Sequence, residues 1–266
     1  MNPVLKRILV SIIPVSLAVY TLLFAPLWFF LIVVEALVLL ALNEYVDMVE
    51  IKGVPVSRFA ILFFGALLPV SVVWSSGFLV IAMTCLSLFI LDFKKRMHQH
   101  ALVSTAVSIF GIIYISWFFS CLVKIRMFDH GVSWAFFTVF LVKMGDAGAY
   151  FVGIRYGKQK LIETVSPNKS VEGALGGLAM TMVLAFISKI YLWHVPVYHL
   201  LILGFFTGIL AQLGDLVESL IKRDVGVKDS GHVPGLGGVL DVLDSLLLTT
   251  PFVFYYVSTF LGENPL

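Results

Sequence analysis

The stretch from Ser219 to Asp244, SLIKRDVGVKDSGHVPGLGGVLDVLD, gathers basic and acidic side chains around a glycine-rich turn. Lys222, Arg223, Lys228 and His232 are types that hold phosphate, while Asp229, Asp241 and Asp244 are types that hold a divalent metal. Together they suit phosphoryl or nucleotidyl transfer, chemistry that depends on positioning and charge neutralisation. Asp215, Glu218, Ser219 and Lys222 recur at i, i+3, i+4 and i+7, one face of a helix. A polar stripe on an apolar helix costs about 2.5–3.5 kcal/mol per charged group, so it faces a cavity or reaches water at the interface. Asp241 and Asp244, at i and i+3, also share a face. Such a pair suits either a metal ion or the dipole of a helix N-terminus, and spacing leaves both readings open. Gly235, Gly237 and Gly238 follow Pro234 in a turn whose N–H groups could cradle phosphate. The turn is neither a Walker A sequence nor a dinucleotide fingerprint.

A second cluster begins at Lys143 and Asp146, an i, i+3 pair whose face Tyr150 shares; a structural ion pair is the alternative reading. It continues through Gly157-Lys158 into Ser166-Pro167-Asn168-Lys169-Ser170. There Ser170 is placed to cap a helix whose N-terminus, beside Lys169, would attract an anion. Gly145, Ala149 and Gly153 form a small-residue stripe suited to close helix packing. Glu35 is expected in an interior cavity, and Lys94, Lys95 and Arg96 at lipid headgroups. His98 and His100 read as solvated loop residues, and His194 and His199 as structural residues flanking an outer turn.

The elements that must position these groups are membrane helices. The chain has 266 residues, is 60% hydrophobic and has a mean hydropathy of +1.01, against ~45–50% apolar residues in a soluble domain. Its apolar runs are long and continuous rather than alternating, which excludes a barrel. The expected fold is an all-α integral membrane protein, a polytopic bundle of about nine transmembrane helices at 8–24, 27–44, 59–75, 78–92, 101–123, 132–155, 172–193, 196–221 and 239–260. Residues 1–266 read as one membrane domain, with N-terminal helices over 1–130 and catalytic helices and cytoplasmic loops over 131–266. The apolar run after Lys6 and Arg7 continues to about Leu42 with no small-residue cleavage site, as in a retained anchor. A net charge of +2 gives no footprint for nucleic acid. Cys85 and Cys121 lie inside apolar runs and read as buried thiols.

Basic residues set the orientation. With a cytoplasmic N-terminus, Lys6, Arg7, Lys52, Arg58, Lys94, Lys95, Arg96, Arg155, Lys158, Lys160, Lys169, Lys222, Arg223 and Lys228 all lie inside. Only Lys124, Arg126 and Lys189 lie at outer ends, a division that satisfies the positive-inside rule. Loops 156–171 and 222–238 then face the cytoplasm, where a soluble nucleotide is found. A transporter would also place Asp, Glu and Lys inside helices. Here, however, the ionisable groups gather towards one membrane face without an inverted repeat.

Ser219, Lys222, Arg223, Lys228, Asp229, Gly237, Gly238, Asp241 and Asp244 resemble, in order and spacing, the signature of the phosphatidate cytidylyltransferases, or CDP-diacylglycerol synthases. The segments Gly214-Asp215-Leu216 to Ser219 and Ser166 to Gly173 resemble that family too, so the likeness covers the chain from about Lys143 onward. Two positions depart from it: Leu236 stands where the family has His, and Val242 where it has Arg. The resemblance implies transfer of CMP from CTP to phosphatidic acid at a bacterial inner membrane, with the active site facing the cytoplasm. It implies Mg²⁺ on Asp215, Asp241 and Asp244, with room for a second metal ion. Catalytic roles fall to Ser219, Lys222, Arg223, Lys228 and Asp229, and substrate binding to Lys143, Asp146, Ser166, Lys169, Gly237 and Gly238. A homodimer is compatible with the sequence. The two departures leave open a CTP-dependent enzyme with another acceptor, a polyprenol kinase or a different lipid-phosphate cytidylyltransferase.

Overall fold

The computed structural model describes residues 16–74, 76–95, 101–231 and 237–265. The N-terminal segment with Lys6 and Arg7 lies outside them, as do Arg96, His98, His100, His232, Pro234, Gly235 and Leu236. The packing divides the chain into two compact units, one of Met1–Lys124 with Asp224–Leu243 and one of Ile125–Arg223 with Asp244–Leu266.

In the first unit, helix α1 (Leu27–Ile51) starts after Pro26, whose fixed φ of −65° and missing N–H suit a helix entrance. It ends at Gly53, which takes a φ of +79°, the left-handed conformation glycine adopts without penalty. The helix outlasts its apolar run because Tyr45, Val46, Met48 and Val49 keep a buried face, while Asp47 and Glu50 point out. Those two carboxylates bind Arg58 at 2.5 and 2.7 Å, fastening the start of α2 (Arg58–Ser71) to the end of α1. Helix α3 (Gly77–Lys95) follows, then α4 (Ala101–Arg126), which loosens into a π-helical stretch at Ile112–Trp117. The Tyr45 hydroxyl donates to the Val107 carbonyl at 2.9 Å, joining α1 to α4.

The second unit opens with α5 (Gly131–Tyr156), followed by a hairpin of β1 (Lys160–Ile162) and β2 (Ser166–Ser170), and then α6 (Val171–Ile187). Helix α7 (Val197–Val225) belongs to this unit through Arg223, and α8 (Val239–Phe260) from Asp244 onward. Helices α5 and α6 approach closely through small residues. A Cβ on Gly177 would stand 2.9 Å from the Gly145 carbonyl oxygen and 3.0 Å from the Ala149 Cβ. Ser170 caps α6, its Oγ accepting from the Gly173 N–H at 3.1 Å.

Among the described residues, six helices are long and apolar enough to cross a bilayer: α1, α4, α5, α6 with its extension to Ile190, α7 and α8. The chain is thus an all-α polytopic integral membrane protein, with one short hairpin among the described residues. The expected spans 59–75 and 78–92 fall on shorter apolar helices, Arg58–Trp74 and Gly77–Leu91. The first of these tightens into a 3₁₀ turn after Pro69. Of the expected span 8–24, residues 16–24 are described, and 16–23 are helical.

Candidate active site

Helix α7 carries its polar stripe on a face turned into the protein. Glu218 is wholly buried, and Ser219 and Lys222 nearly so. Gly214, one residue before Asp215, lies against α8 so closely that a Cβ there would run into the Asp244 carbonyl oxygen. That approach brings the carboxylates of Asp215, Glu218 and Asp244 together, with one oxygen from each within 4.8 Å of the others. Ser219 Oγ donates to Asp215 Oδ1 at 3.4 Å. The Ser245 N–H donates to Asp244 Oδ1 at 2.5 Å.

Carboxylates this close repel unless cations stand among them. Lys222 Nζ lies 2.5 Å from Glu218 Oε2, and Lys169 Nζ lies 2.7 Å from Asp215 Oδ2. Two ammonium groups against three carboxylates leave one negative charge in excess. Oxygen-only donors with surplus negative charge fit a hard divalent cation such as Mg²⁺, which binds through one or two carboxylates and keeps positions for substrate phosphate.

Beside this group, Ser245 joins the second cluster to the first. Its Oγ donates to Asp146 Oδ2 at 3.0 Å and accepts from Lys143 Nζ at 3.2 Å, while Lys143 and Asp146 lie 3.5 Å apart. The hairpin is tied to the end of α7 by Arg223, whose Nε donates to the Val165 carbonyl at 3.3 Å. It is tied to α6 by Glu172, which accepts from the backbone N–H groups of Lys158 and Gln159. Ser166 stands half-buried in β2 at the hairpin turn.

The remaining expected residues belong to the first unit. Lys228 and Asp229 are exposed. Asp241 Oδ2 accepts from the N–H groups of Gly238 at 2.7 Å and Ser230 at 3.0 Å, so this carboxylate shapes the glycine turn. Gly237 takes a φ of +82°. Glu44 of α1 reaches the same turn. Its two oxygens accept from the Val239 and Leu240 N–H groups, both at 2.8 Å, and from Ser230 Oγ at 2.9 Å. A carboxylate on the open N–H groups of a helix start satisfies donors that have no partner within the helix.

The structure therefore brings Asp215, Ser219, Lys222, Asp244 and Lys169 into one unit with Lys143 and Asp146. Asp241, Lys228, Asp229, Gly237 and Gly238 lie in the other unit. Sequence reasoning placed Glu218 in the stripe without making it a ligand, although its spacing from Asp215 carried that information. It passed over Ser245 and Glu44. Glu44 lies 195 residues before the amide it caps, a separation that local pattern does not bridge.

In this polytopic helical protein the interior gathers three carboxylates beside two lysines, groups able to hold a metal ion and phosphate. The sequence matches the cytidylyltransferase family over residues 5–260, and the chain belongs to that family. It is a nucleotidyltransferase. It is 33% identical to the phosphatidate cytidylyltransferase of Synechocystis, over 95% of this chain and 96% of that protein. The enzyme of that name from Bacillus subtilis is 42% identical over 56% of each chain, so that match spans about half its length. The one from Staphylococcus haemolyticus is 31% identical over 82% of this chain and 85% of its own.

Proposed function

We propose that this enzyme transfers CMP from CTP to phosphatidic acid, releasing pyrophosphate and leaving CDP-diacylglycerol in the membrane. The observation that carries the reading is the convergence of Asp215, Glu218 and Asp244 beside Lys169 and Lys222, in a member of the cytidylyltransferase family. The distribution of basic loop residues supports a site facing the cytoplasm of a bacterial inner membrane.

In this reading an oxygen of the phosphatidate monoester attacks the α-phosphorus of CTP. The bond from that phosphorus to the bridging α–β oxygen breaks, and pyrophosphate leaves with the electron pair. The attacking oxygen is already anionic at neutral pH, so the protein needs no strong base. Mg²⁺ on Asp215 and Asp244, with Glu218 beside them, would neutralise triphosphate oxygens and polarise the phosphorus under attack. Lys222 pairs with Glu218 and holds it in place. Lys169, half-buried on Asp215, is positioned to exchange that carboxylate for a nucleotide phosphate. Arg223 and Lys228 carry exposed charge for the triphosphate and departing pyrophosphate, and the signature gives Asp229 a catalytic role. Lys143, Asp146 and Ser166 contribute to the substrate pocket, and the signature adds Gly237 and Gly238 to the residues that bind substrate. Asp241 holds the turn by accepting from the N–H groups of Gly238 and Ser230, and the signature makes it a further metal ligand.

The test uses CTP labelled at either the α- or the γ-phosphorus, with purified protein, Mg²⁺ and a panel of acceptors. Cytidylyl transfer to phosphatidic acid moves α-label, and no γ-label, into the lipid fraction. Transfer of γ-label to a polyprenol would replace this reading with a kinase. Label in another lipid phosphate but not in phosphatidic acid would keep the reaction and change the acceptor.

A further inference from the structure

A second polar cluster stands in the other end region of the second unit. His130 immediately precedes α5, and Lys143 lies roughly 20 Å further along that helix at 1.5 Å per residue. His194 lies in the turn between α6 and α7, and Glu263 follows α8. These three segments are far apart in sequence, yet one ligand atom from each residue falls within 4.8 Å of the other two.

The geometry is that of a coordination site. Glu263 Oε1 lies 3.2 Å from His130 Nδ1 and 3.6 Å from His194 Nε2. A tetrahedral zinc centre with bonds of ~2.0–2.1 Å places neighbouring ligand atoms ~3.3–3.4 Å apart. The two imidazoles stack with centroids 4.1 Å apart, which draws the start of α5 and the α6–α7 turn together. Trp134, itself fully buried, donates from Nε1 to Glu263 Oε1 at 3.2 Å and fixes the carboxylate, as outer partners do at metal sites.

A separate observation points to a ligand. The Glu263 side chain is only 9% exposed, and its Oε2 is buried without a hydrogen-bond partner. Both ring nitrogens of His194 are likewise buried without a hydrogen bond. A buried carboxylate oxygen left unmatched is costly, and beside two imidazoles it has a ready use.

We propose that His130, His194 and Glu263 form a zinc site, with water completing the coordination, that staples the start of α5, the α6–α7 turn and the segment after α8. Two imidazoles and one carboxylate favour a borderline cation such as Zn²⁺ over Mg²⁺. The role is structural, because the reacting groups stand at the far end of α5.

The experiment uses full-length protein carrying a tag without histidine, dialysed against Zn²⁺ in excess Mg²⁺ to occupy the carboxylate cluster. Metal analysis is expected to find stoichiometric zinc in the wild type and in Glu218→Gln, and its loss in His194→Gln and Glu263→Gln. Zn²⁺ should raise the thermal midpoint of the wild type but not of His194→Gln, which retains cytidylyl transfer. Should the variants fail to fold, Co²⁺ in unmodified protein gives the answer. Intense visible bands of a tetrahedral site, displaced by Zn²⁺, are expected. A weak octahedral spectrum, or zinc retained undiminished in the folded variants, overturns the site.

Discussion

Gly214 of α7 and Asp244 of α8 touch backbone to backbone: no Cβ fits at Gly214 without striking the Asp244 carbonyl oxygen. This contact lets Asp215, the next residue, share a site with the Asp244 carboxylate. Gly214→Ala must therefore push the helices apart, since a backbone carbonyl cannot swing aside as a side-chain tip can. Transfer should fall by ~10²-fold, the scale of an ångström's misplacement. Gly153→Ala is the control, because its Cβ would meet only ordinary contacts at 3.5 and 3.7 Å. Rates in mixed micelles, with folding checked by thermal melts, compare the two.

The carboxylates should separate by role. Glu218→Gln weakens Mg²⁺ binding, so that more Mg²⁺ is required, and removes the carboxylate paired with buried Lys222. Its rate should drop by more than the ~10–100-fold usual for residues that only orient a metal ligand. Asp241→Asn keeps an oxygen for the Ser230 and Gly238 N–H groups, so the turn survives. Activity of this variant should still fall with a raised Mg²⁺ requirement. A near-normal Mg²⁺ titration would restrict Asp241 to shaping the turn.

Lys169→Met removes the 2.7 Å partner of Asp215 and, in the proposed reaction, a positive charge for the nucleotide phosphates. A charge-assisted hydrogen bond is worth about 1.5–3 kcal/mol, or roughly 10–100-fold in binding. The loss should appear in KM for CTP more than in kcat, read from initial rates at saturating lipid.

Glu44→Ala strips the cap from α8 and the partner from Ser230 Oγ. Leaving buried donors unmet costs about 1–3 kcal/mol. A lowered thermal midpoint and faster amide exchange at Val239 and Leu240 are expected, and Glu44→Gln should recover part of both.

Burial, the adjacent His130 and Lys189 hold the His194 imidazole below its ordinary value of 6.5, against the opposing pull of Glu263. In zinc-free protein the unfolded chain therefore takes up a proton before the folded chain does. The stability this contributes is fully present above about pH 6.5 and is lost as pH falls through the depressed folded value. Thermal midpoints in chelator, measured across that window, should decline more steeply for wild type than for His194→Gln.

Periodicity and hydropathy revealed the helices because each span must satisfy its backbone internally, which gives a long, continuous signal. The Gly145-Ala149-Gly153 stripe announced the α5–α6 contact for the same local reason. The continuation of α1 past Leu42 was harder to read, since Asn43, Glu44, Asp47 and Glu50 ended the apolar run while one buried face persisted. Spacing along α7 identified Asp215, Ser219 and Lys222, but partners from other helices had no local mark. Lys169 on Asp215, Ser245 on Asp146 and Glu44 on α8 all depend on tertiary packing. The His130, His194 and Glu263 group is the extreme case, with three ordinary loop residues acquiring meaning only when their segments meet.

The most direct test of the central claim is CDP-diacylglycerol formation from α-labelled CTP and phosphatidic acid, titrated with Mg²⁺, for wild type and Asp244→Asn. Saturable Mg²⁺-dependent synthesis by the wild type, abolished in a folded Asp244→Asn protein, is the predicted result. Full synthesis by Asp244→Asn with an unchanged Mg²⁺ dependence would contradict a catalytic metal at the Asp215, Glu218 and Asp244 carboxylates.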